Sequence, residues 1–187
     1  MPEKPTILQR TTLATTRLFR IESIQLRFSN GSEREFERLT RSTRGGGAVL
    51  IVPVILPDTV ILVREYAAGV DRYEIGLPKG KTEPGEDILQ AANRELREEI
   101  GFGARKLTHL ATLTIAPGYL EHATEIVLAE DLYAEKLPGD EPEELDRITW
   151  NFNRLSELAA SGECTEARSI AALYMSRDYL IKRDFLK

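Results

Sequence analysis

Gly80 to Phe102 reads GKTEPGEDILQAANRELREEIGF, and this stretch decides the fold. Pro84 and Gly85 do not sit comfortably inside a helix. They close a turn just before Glu86 and Asp87, whose negative charges suit the partial positive charge of a helix N-terminus. A helix is therefore predicted from about residue 86. On a wheel turning about 100° per residue, Ile88, Leu89, Ala92, Leu96 and Ile100 share one side and form a buried face. Glu99 falls within that apolar arc, between Ile88 and Ala92, and Glu95 sits at its edge.

Carboxylates crowded together in this way repel one another, and one takes up a proton unless a cation neutralises them. Oxygen donors with open positions suit Mg²⁺ or Mn²⁺, which keep waters and bind substrate phosphates through one or two carboxylates. Arg94 stands four residues before Glu98 and eight after Glu86, placed to brace carboxylates with charge-assisted hydrogen bonds. The alternative for RELREE is a salt-bridged segment facing solvent.

The spacing is more specific than that. Glycine, five residues, glutamate, seven residues, then Arg-Glu-apolar-any-Glu-Glu-any-Gly-apolar is filled by Gly80, Glu86, Arg94, Glu95, Leu96, Glu98, Glu99, Gly101 and Phe102. This pattern resembles the Nudix box, the signature of metal-dependent hydrolases that cleave a nucleoside diphosphate linked to another moiety. Phe102 stands where the family more often has an aliphatic residue. The resemblance implies an α/β/α sandwich with a mixed sheet, with Glu95 and Glu99 as metal ligands and Glu98 as a further ligand or as the group orienting water. It also implies that the backbone carbonyl of Lys79 reaches the same metal past Gly80, and that Glu86 either pairs with Arg94 or helps hold a second metal. Mg²⁺ or Mn²⁺ is the implied cofactor, as two or three ions.

A chain of 187 residues is long enough to bury a real core, and 42% hydrophobic with 29% charged residues is the composition of a soluble globular protein. A net charge of -5 argues against nonspecific nucleic-acid binding, which needs clustered Lys and Arg. The lone Cys164 excludes an internal disulfide and a Cys-based zinc site. The opening MPEKPTILQR has no apolar run after its basic residues, and no segment reaches the roughly 18 apolar residues that span a bilayer. The expectation is a cytoplasmic protein that engages neither membrane nor nucleic acid.

Residues 1–44 suggest an antiparallel β-hairpin: LFRIESIQLRF alternates, Ser29 to Gly31 is a turn signal, and SEREFERLTR returns. Strands so rich in charge have little core of their own and are steadier against a partner sheet. A dimerisation arm over residues 1–44, a hydrolase domain over 45–187 and a homodimer are therefore expected. AVLIVPVIL and TVILVREY read as buried strands, and Gly45-Gly46-Gly47 as a hinge. LTHLATLTIAP reads as a strand ending at Pro117, ATEIVLAEDLY as another, and LPGDEPEELDRI as an acidic loop. Residues 154–160 and 165–182 carry helical periodicity, with Ile170, Leu173, Tyr174, Met175, Leu180 and Ile181 as core candidates. The fold class is α+β.

Substrate choice comes from outside the box. Pro117 lies fifteen residues past Phe102 and Tyr119 two further on, near positions where Nudix enzymes acting on ADP-ribose and on dinucleoside polyphosphates carry a proline and a tyrosine. KPTIL, RLF, SNG, IVP, REYA, EEIGFGA and GDEPE extend the likeness to the family's subgroup acting on ADP compounds, with a departure between Arg41 and Gly47. That resemblance implies hydrolysis of ADP-ribose, NADH and diadenosine polyphosphates to AMP and a phosphorylated product. It also implies a general base from a mobile acidic loop, here Gly139 to Asp146, with Glu141, Glu143 and Glu144 as candidates. Arg64 and Glu74 resemble positions that contact the adenosine diphosphate part. Each has an alternative: a turn with a packed aromatic at Pro117 and Tyr119, a solvated linker for the acidic loop, and surface ion pairs for Arg64 and Glu74. His109 and His122 are too far apart to argue a metal site, and Trp150 and Cys164 read as core or helix-border residues. Two other functions stay open: a sensor that binds ADP-ribose or NAD without cutting it, and a Nudix hydrolase of another nucleoside diphosphate derivative or an oxidised nucleotide.

Overall fold

The structure, a computed structural model, describes residues 3–41 and 47–183. In chain order it contains β1 (Thr6–Thr15), β2 (Phe19–Arg27), β3 (Glu33–Arg41), β4 (Ala48–Leu56), β5 (Thr59–Ala67), β6 (Arg72–Gly76), β7 (Lys79–Lys81), α1 (Ile88–Glu99), β8 (Phe102–Thr114), β9 (Ala123–Ala134), β10 (Asp146–Asn151), α2 (Leu155–Ala160) and α3 (Ala167–Lys182). The chain divides into two compact units, the N-terminal strands taking Thr114–Ala123 with them. Gly45 and Gly46 of the expected hinge lie outside the described residues, whereas Gly47 donates its N–H to the Thr82 hydroxyl.

In the first unit β2 and β3 form the expected hairpin, closed at Gly31, whose φ of 82° only glycine adopts readily. β1 adds a third antiparallel strand. It gave no signal in the sequence because all ten of its residues are exposed, so no face alternates. The buried charge here is Glu22, 3% exposed. Arg38 donates to it through Nε and Nη2 at 2.9 and 2.8 Å, with Arg20 alongside. The loop at Pro117 closes onto β3, where Leu39 donates to the Tyr119 carbonyl and accepts from the Glu121 N–H.

The second unit is built on a mixed sheet of order β10-β5-β4-β9-β8, with β6 paired to β5 and β7 to β4. β4 and β9 run parallel, and the other registered pairs of this sheet are antiparallel. Ala48 to Val54 are buried without interruption because both faces of β4 are covered. Its period of two divides them: Leu50 and Val52 pack with Phe152, Leu158 and Leu173, while Val49 and Ile51 pack with Ala92, Leu96 and Ile100 of the α1 segment. The result is an α/β/α sandwich of the α+β class.

Several boundaries differ from those expected. α1 begins at Ile88, two residues late, because the Asp87 carboxylate caps Leu89 and Gln90 while Gln90 returns the bond. β8 stops at Thr114 rather than Pro117, and the acidic loop gives way to β10 at Asp146. On α3, Leu173 and Leu180 are buried and Ile170 and Tyr174 partly so, but Ile181 is exposed. The buried stripe is completed by Ser169, Ala172 and Ser176, small residues that admit close packing and carry little hydrophobic signal. Cys164 is fully buried, and Trp150, partly buried, donates to the Arg154 carbonyl.

Candidate active site

α1 places its carboxylates by anchoring the opposite face. Leu96 and Ile100 are essentially inaccessible, and burying two such side chains contributes roughly 1.5–3 kcal/mol each. Past the helix C-cap, Gly101 at φ 73° turns the chain into β8. With the helix fixed, Glu95 and Glu98 project beside Arg94, and Glu99 points into the unit, 7% exposed.

Arg94 organises the cluster. All five of its N–H donors are used: Nε and Nη2 meet Glu86 at 2.9 and 3.0 Å, Nη1 meets Glu95 at 2.9 Å and Glu98 at 2.8 Å, and Nη2 also meets the Lys81 carbonyl at 2.7 Å. Glu86 lies in the turn ahead of the helix, and its bonds to Arg94 hold its carboxyl below the usual range. Burial pushes the Glu95 carboxyl up despite Arg94. Glu95 also accepts the Lys81 N–H, and its carboxyl group occupies the space above Gly80, where a Cβ would stand 1.9 to 2.3 Å from the carboxyl atoms. This explains the glycine: any side chain there displaces Glu95.

Glu99 is the most perturbed acid of the group. Burial pushes its carboxyl up to about 8; the charge of Lys79 and the Lys79 N–H, 3.2 Å from Oε2, oppose the rise, and Glu95 and Glu141 add to it. It is the N–H of Lys79 that the structure aims at Glu99. The Lys79 ammonium pairs instead with Glu65 on β5.

Around the cluster lie two cavities. One, of about 340 Å³, is lined by Glu98, Glu99, Lys136, Glu141, Glu143 and Glu144, so the three loop glutamates face the C-terminal end of the acidic helix. Burial, followed by the charges of Glu65 and Asp140, raises the Glu141 carboxyl. The other, of about 450 Å³, is lined by Glu65, Tyr66, Val70, Glu74, Lys79 and Ser169 among others. Glu74 is 9% exposed there, held by Arg72 and by the N–H and hydroxyl of Thr165. Arg64 lines neither cavity and takes the surface ion pair, with Glu163 at 3.4 Å. Its neighbour Glu65, passed over in the sequence, stands across the strands from Glu74. The signal was the two-residue strand period, which puts Glu65 and Arg64 on opposite faces. Pro117 and Tyr119 belong to the first unit, where they line a cavity of about 480 Å³ with Phe28, Phe36 and Arg38, and Tyr119 is exposed. His109 pairs with Glu125 on the second sheet.

The donor set suits a hard divalent cation: it is all oxygen, three carboxylates share one guanidinium, and burial sets Glu99 against ionisation, which added positive charge would offset. As they stand, bridged by Arg94, no three acidic, histidine or cysteine side chains among the described residues converge as a ready-made metal cluster.

Comparison with known proteins bears on the fold and the family. Residues 46–172 match the NUDIX domain, and residues 5–38 match the NudE-type Nudix hydrolase N-terminal domain. The chain is 47% identical over 178 residues to the ADP compounds hydrolase NudE of Escherichia coli (strain K12), covering 95% of this chain and 94% of that protein. It is 28% identical to the ADP-ribose pyrophosphatase of Bacillus subtilis (strain 168), over 89% of this chain and 91% of that one. A crystal structure of an ADP compounds hydrolase superposes with a TM-score of 0.90 at 45% identity, covering 100% of this chain and 99% of that chain. With its acidic helix, sandwich fold and both domains matched, the chain belongs to the Nudix hydrolase family.

Proposed function

We propose that the protein hydrolyses the pyrophosphate bond of ADP compounds such as ADP-ribose, NADH and diadenosine polyphosphates, releasing AMP and a phosphorylated product. The carrying observation is the complete set of carboxylates on and before α1: Glu86, Glu95 and Glu98 gathered around Arg94, and the buried Glu99 beside the acidic loop. The 47% identity to a protein named for ADP compounds supports the substrate class. Loss of a box carboxylate would favour a sensor that binds without cutting, and none is lost.

Nudix hydrolases in general work with divalent metal ions; here Mg²⁺ or Mn²⁺, as two or three ions, is the proposed cofactor. Glu95, Glu98 and Glu99 are the proposed ligands, with Glu86 and the Lys79 carbonyl as further ones. Bound there, such ions would supply positive charge against the phosphate oxygens and would favour deprotonation of a water. The chain's own residues do the rest. Arg94 orients Glu86, Glu95 and Glu98 and holds the Glu86 carboxyl below its usual range, and Glu99 would become a carboxylate once further positive charge offsets its burial. One of Glu141, Glu143 and Glu144 accepts the proton of the water that attacks phosphorus as the P–O–P bridge breaks, giving AMP and the phosphorylated product. Glu74, Pro117 and Tyr119 are proposed substrate contacts, and Arg64 a contact only if it leaves Glu163.

Residues 1–44 are proposed as a dimerisation arm to a hydrolase domain of residues 45–187, giving a cytoplasmic homodimer that engages no nucleic acid. The exposed apolar side chains of the N-terminal sheet support this arm. Among the described residues no helix is long and apolar enough to cross a membrane.

The test is a panel of ADP-ribose, NADH, diadenosine triphosphate, ADP-glucose and 8-oxo-dGTP with Mg²⁺, followed by chromatography of released mononucleotide. AMP from ADP-ribose and the adenine dinucleotides, abolished by EDTA, is expected. Binding of ADP-ribose without cleavage of any member would establish the sensor instead.

A further inference from the structure

Glu143, on the acidic loop, accepts a hydrogen bond from outside that loop: the Tyr73 hydroxyl donates to its Oε1 at 2.9 Å. The ends of the loop are fastened to the C-terminal end of α1. Before it, the Leu137 N–H donates to the Arg97 carbonyl at 3.0 Å and the Lys136 ammonium to the Glu98 carbonyl at 2.6 Å. After it, Leu145 is buried and Arg147 donates to the Ile100 carbonyl at 3.0 Å. Between these anchors the chain has no helix or strand, and Glu141, Glu143 and Glu144 are exposed.

Tyr73 is itself firmly held. It lies on β6, and its ring meets Tyr66 of β5 edge-on, with centroids 5.6 Å apart at 69°. Tyr66 in turn donates its hydroxyl to Asp71, which sits at φ 54° in the turn joining these strands and donates its N–H to the Ala67 carbonyl at 2.9 Å. Hydroxyl, ring and turn thus form one braced hairpin presenting a single donor to the loop. The adjacent carboxylate pushes the Tyr73 phenol above its ordinary range, so it remains protonated and donating under working conditions.

We propose that Tyr73 is a positioning residue for the hydrolysis: its hydroxyl fixes the Glu143 carboxylate and sets the middle of the acidic loop over the cavity shared with Glu98 and Glu99. This rests on the pyrophosphohydrolase reading. A donor on a rigid hairpin orients a carboxylate on an irregular segment, and the loss of that restraint lowers the fraction of bound substrate that meets a correctly placed loop. The effect belongs in turnover rather than affinity.

The experiment compares unmodified protein, Tyr73→Phe, Glu143→Gln and the double variant in steady-state hydrolysis of ADP-ribose with Mg²⁺. For Tyr73→Phe, kcat is expected to fall about 10-fold with KM within about 2-fold of the unmodified protein. The double variant is expected to be no slower than Glu143→Gln, because the carboxylate whose placement Tyr73 governs is already gone. Hydrogen exchange over residues 138–144 should rise in Tyr73→Phe while the melting temperature holds. Normal kcat in Tyr73→Phe with a slowed Glu143→Gln would overturn the positioning role alone. A raised KM at unchanged kcat would make Tyr73 a substrate contact and overturn it too, as would normal turnover in Glu143→Gln. No AMP release by the unmodified protein would overturn the hydrolase reading and this inference with it.

Discussion

At Glu99, burial opposes ionisation, the charge and N–H of Lys79 favour it, and the charges of Glu95 and Glu141 oppose it again. The folded carboxyl is raised from an ordinary 4.5 to about 8, so the metal-free folded chain retains a proton that the unfolded chain releases. Stability from this group is complete below the unfolded value and is lost as pH rises through that window toward 8. Melting temperature of the EDTA-treated protein should therefore decline from about pH 5 to pH 8. Glu99→Gln should flatten that decline, and Mg²⁺ should reverse it in the unmodified protein alone; an identical pH profile for the variant would show that Glu99 is not the group responsible. The same substitution should lower kcat by about 100-fold or more with far-UV circular dichroism unchanged, since it removes a proposed ligand without changing volume. Gly80→Ala makes a complementary case. Its Cβ would lie 1.9 Å from the Glu95 carboxyl carbon, so Glu95 must swing away from the Lys81 N–H. The Mg²⁺ concentration giving half-maximal rate should rise several-fold, read by metal titration of turnover.

At the scale of elements, α1 is held at its start by the reciprocal Asp87–Gln90 capping pair and at its end by Gly101. Asp87→Ala should cost about 1 kcal/mol of unfolding free energy in urea titration, with little effect on KM, since the cap touches no proposed ligand. This helix was legible in the sequence because two signals coincide there: a 3.6-residue apolar period and carboxylates at fixed offsets from an arginine. The strands β4 and β5 were legible for a similar reason, AVLIVPVIL and TVILV being apolar runs. β6 and β7 were not, because five and three residues are too few to show a period. Glu74 on β6 and Lys79 on β7 were named only through the resemblance, and Tyr73 on β6 was missed. Arg64 was named by the same resemblance; the register pairs Glu65 with Glu74, and Arg64 meets Glu163. The loop glutamates were legible as a group from composition. Only the fold distinguishes Glu143, bonded to Tyr73, from Glu141, whose carboxyl is raised by burial and by Glu65.

At the scale of the whole molecule, the first unit raises the question of what steadies it. Ile7, Leu13, Phe19 and Phe36 are each more than two-fifths exposed on a three-stranded sheet whose buried acid, Glu22, sits among arginines. Sheets of this size are marginal without a covering layer, and burying such side chains stabilises by roughly 1.5–3 kcal/mol each. A second copy of the chain is the partner proposed to cover it. Light scattering at low micromolar concentration should then give about twice 21.0 kDa, and melting temperature should rise with protein concentration, because association and folding are linked. Leu13→Lys with Phe19→Lys places two charges on that sheet and should shift the particle to 21.0 kDa while lowering its melting temperature. A single 21.0 kDa species for the unmodified protein, with a melting temperature independent of concentration, would rule the dimer out. The exposed sheet would then have to be stable alone, its strands held by ladder hydrogen bonds and by the Glu22–Arg38 pair rather than by buried apolar area.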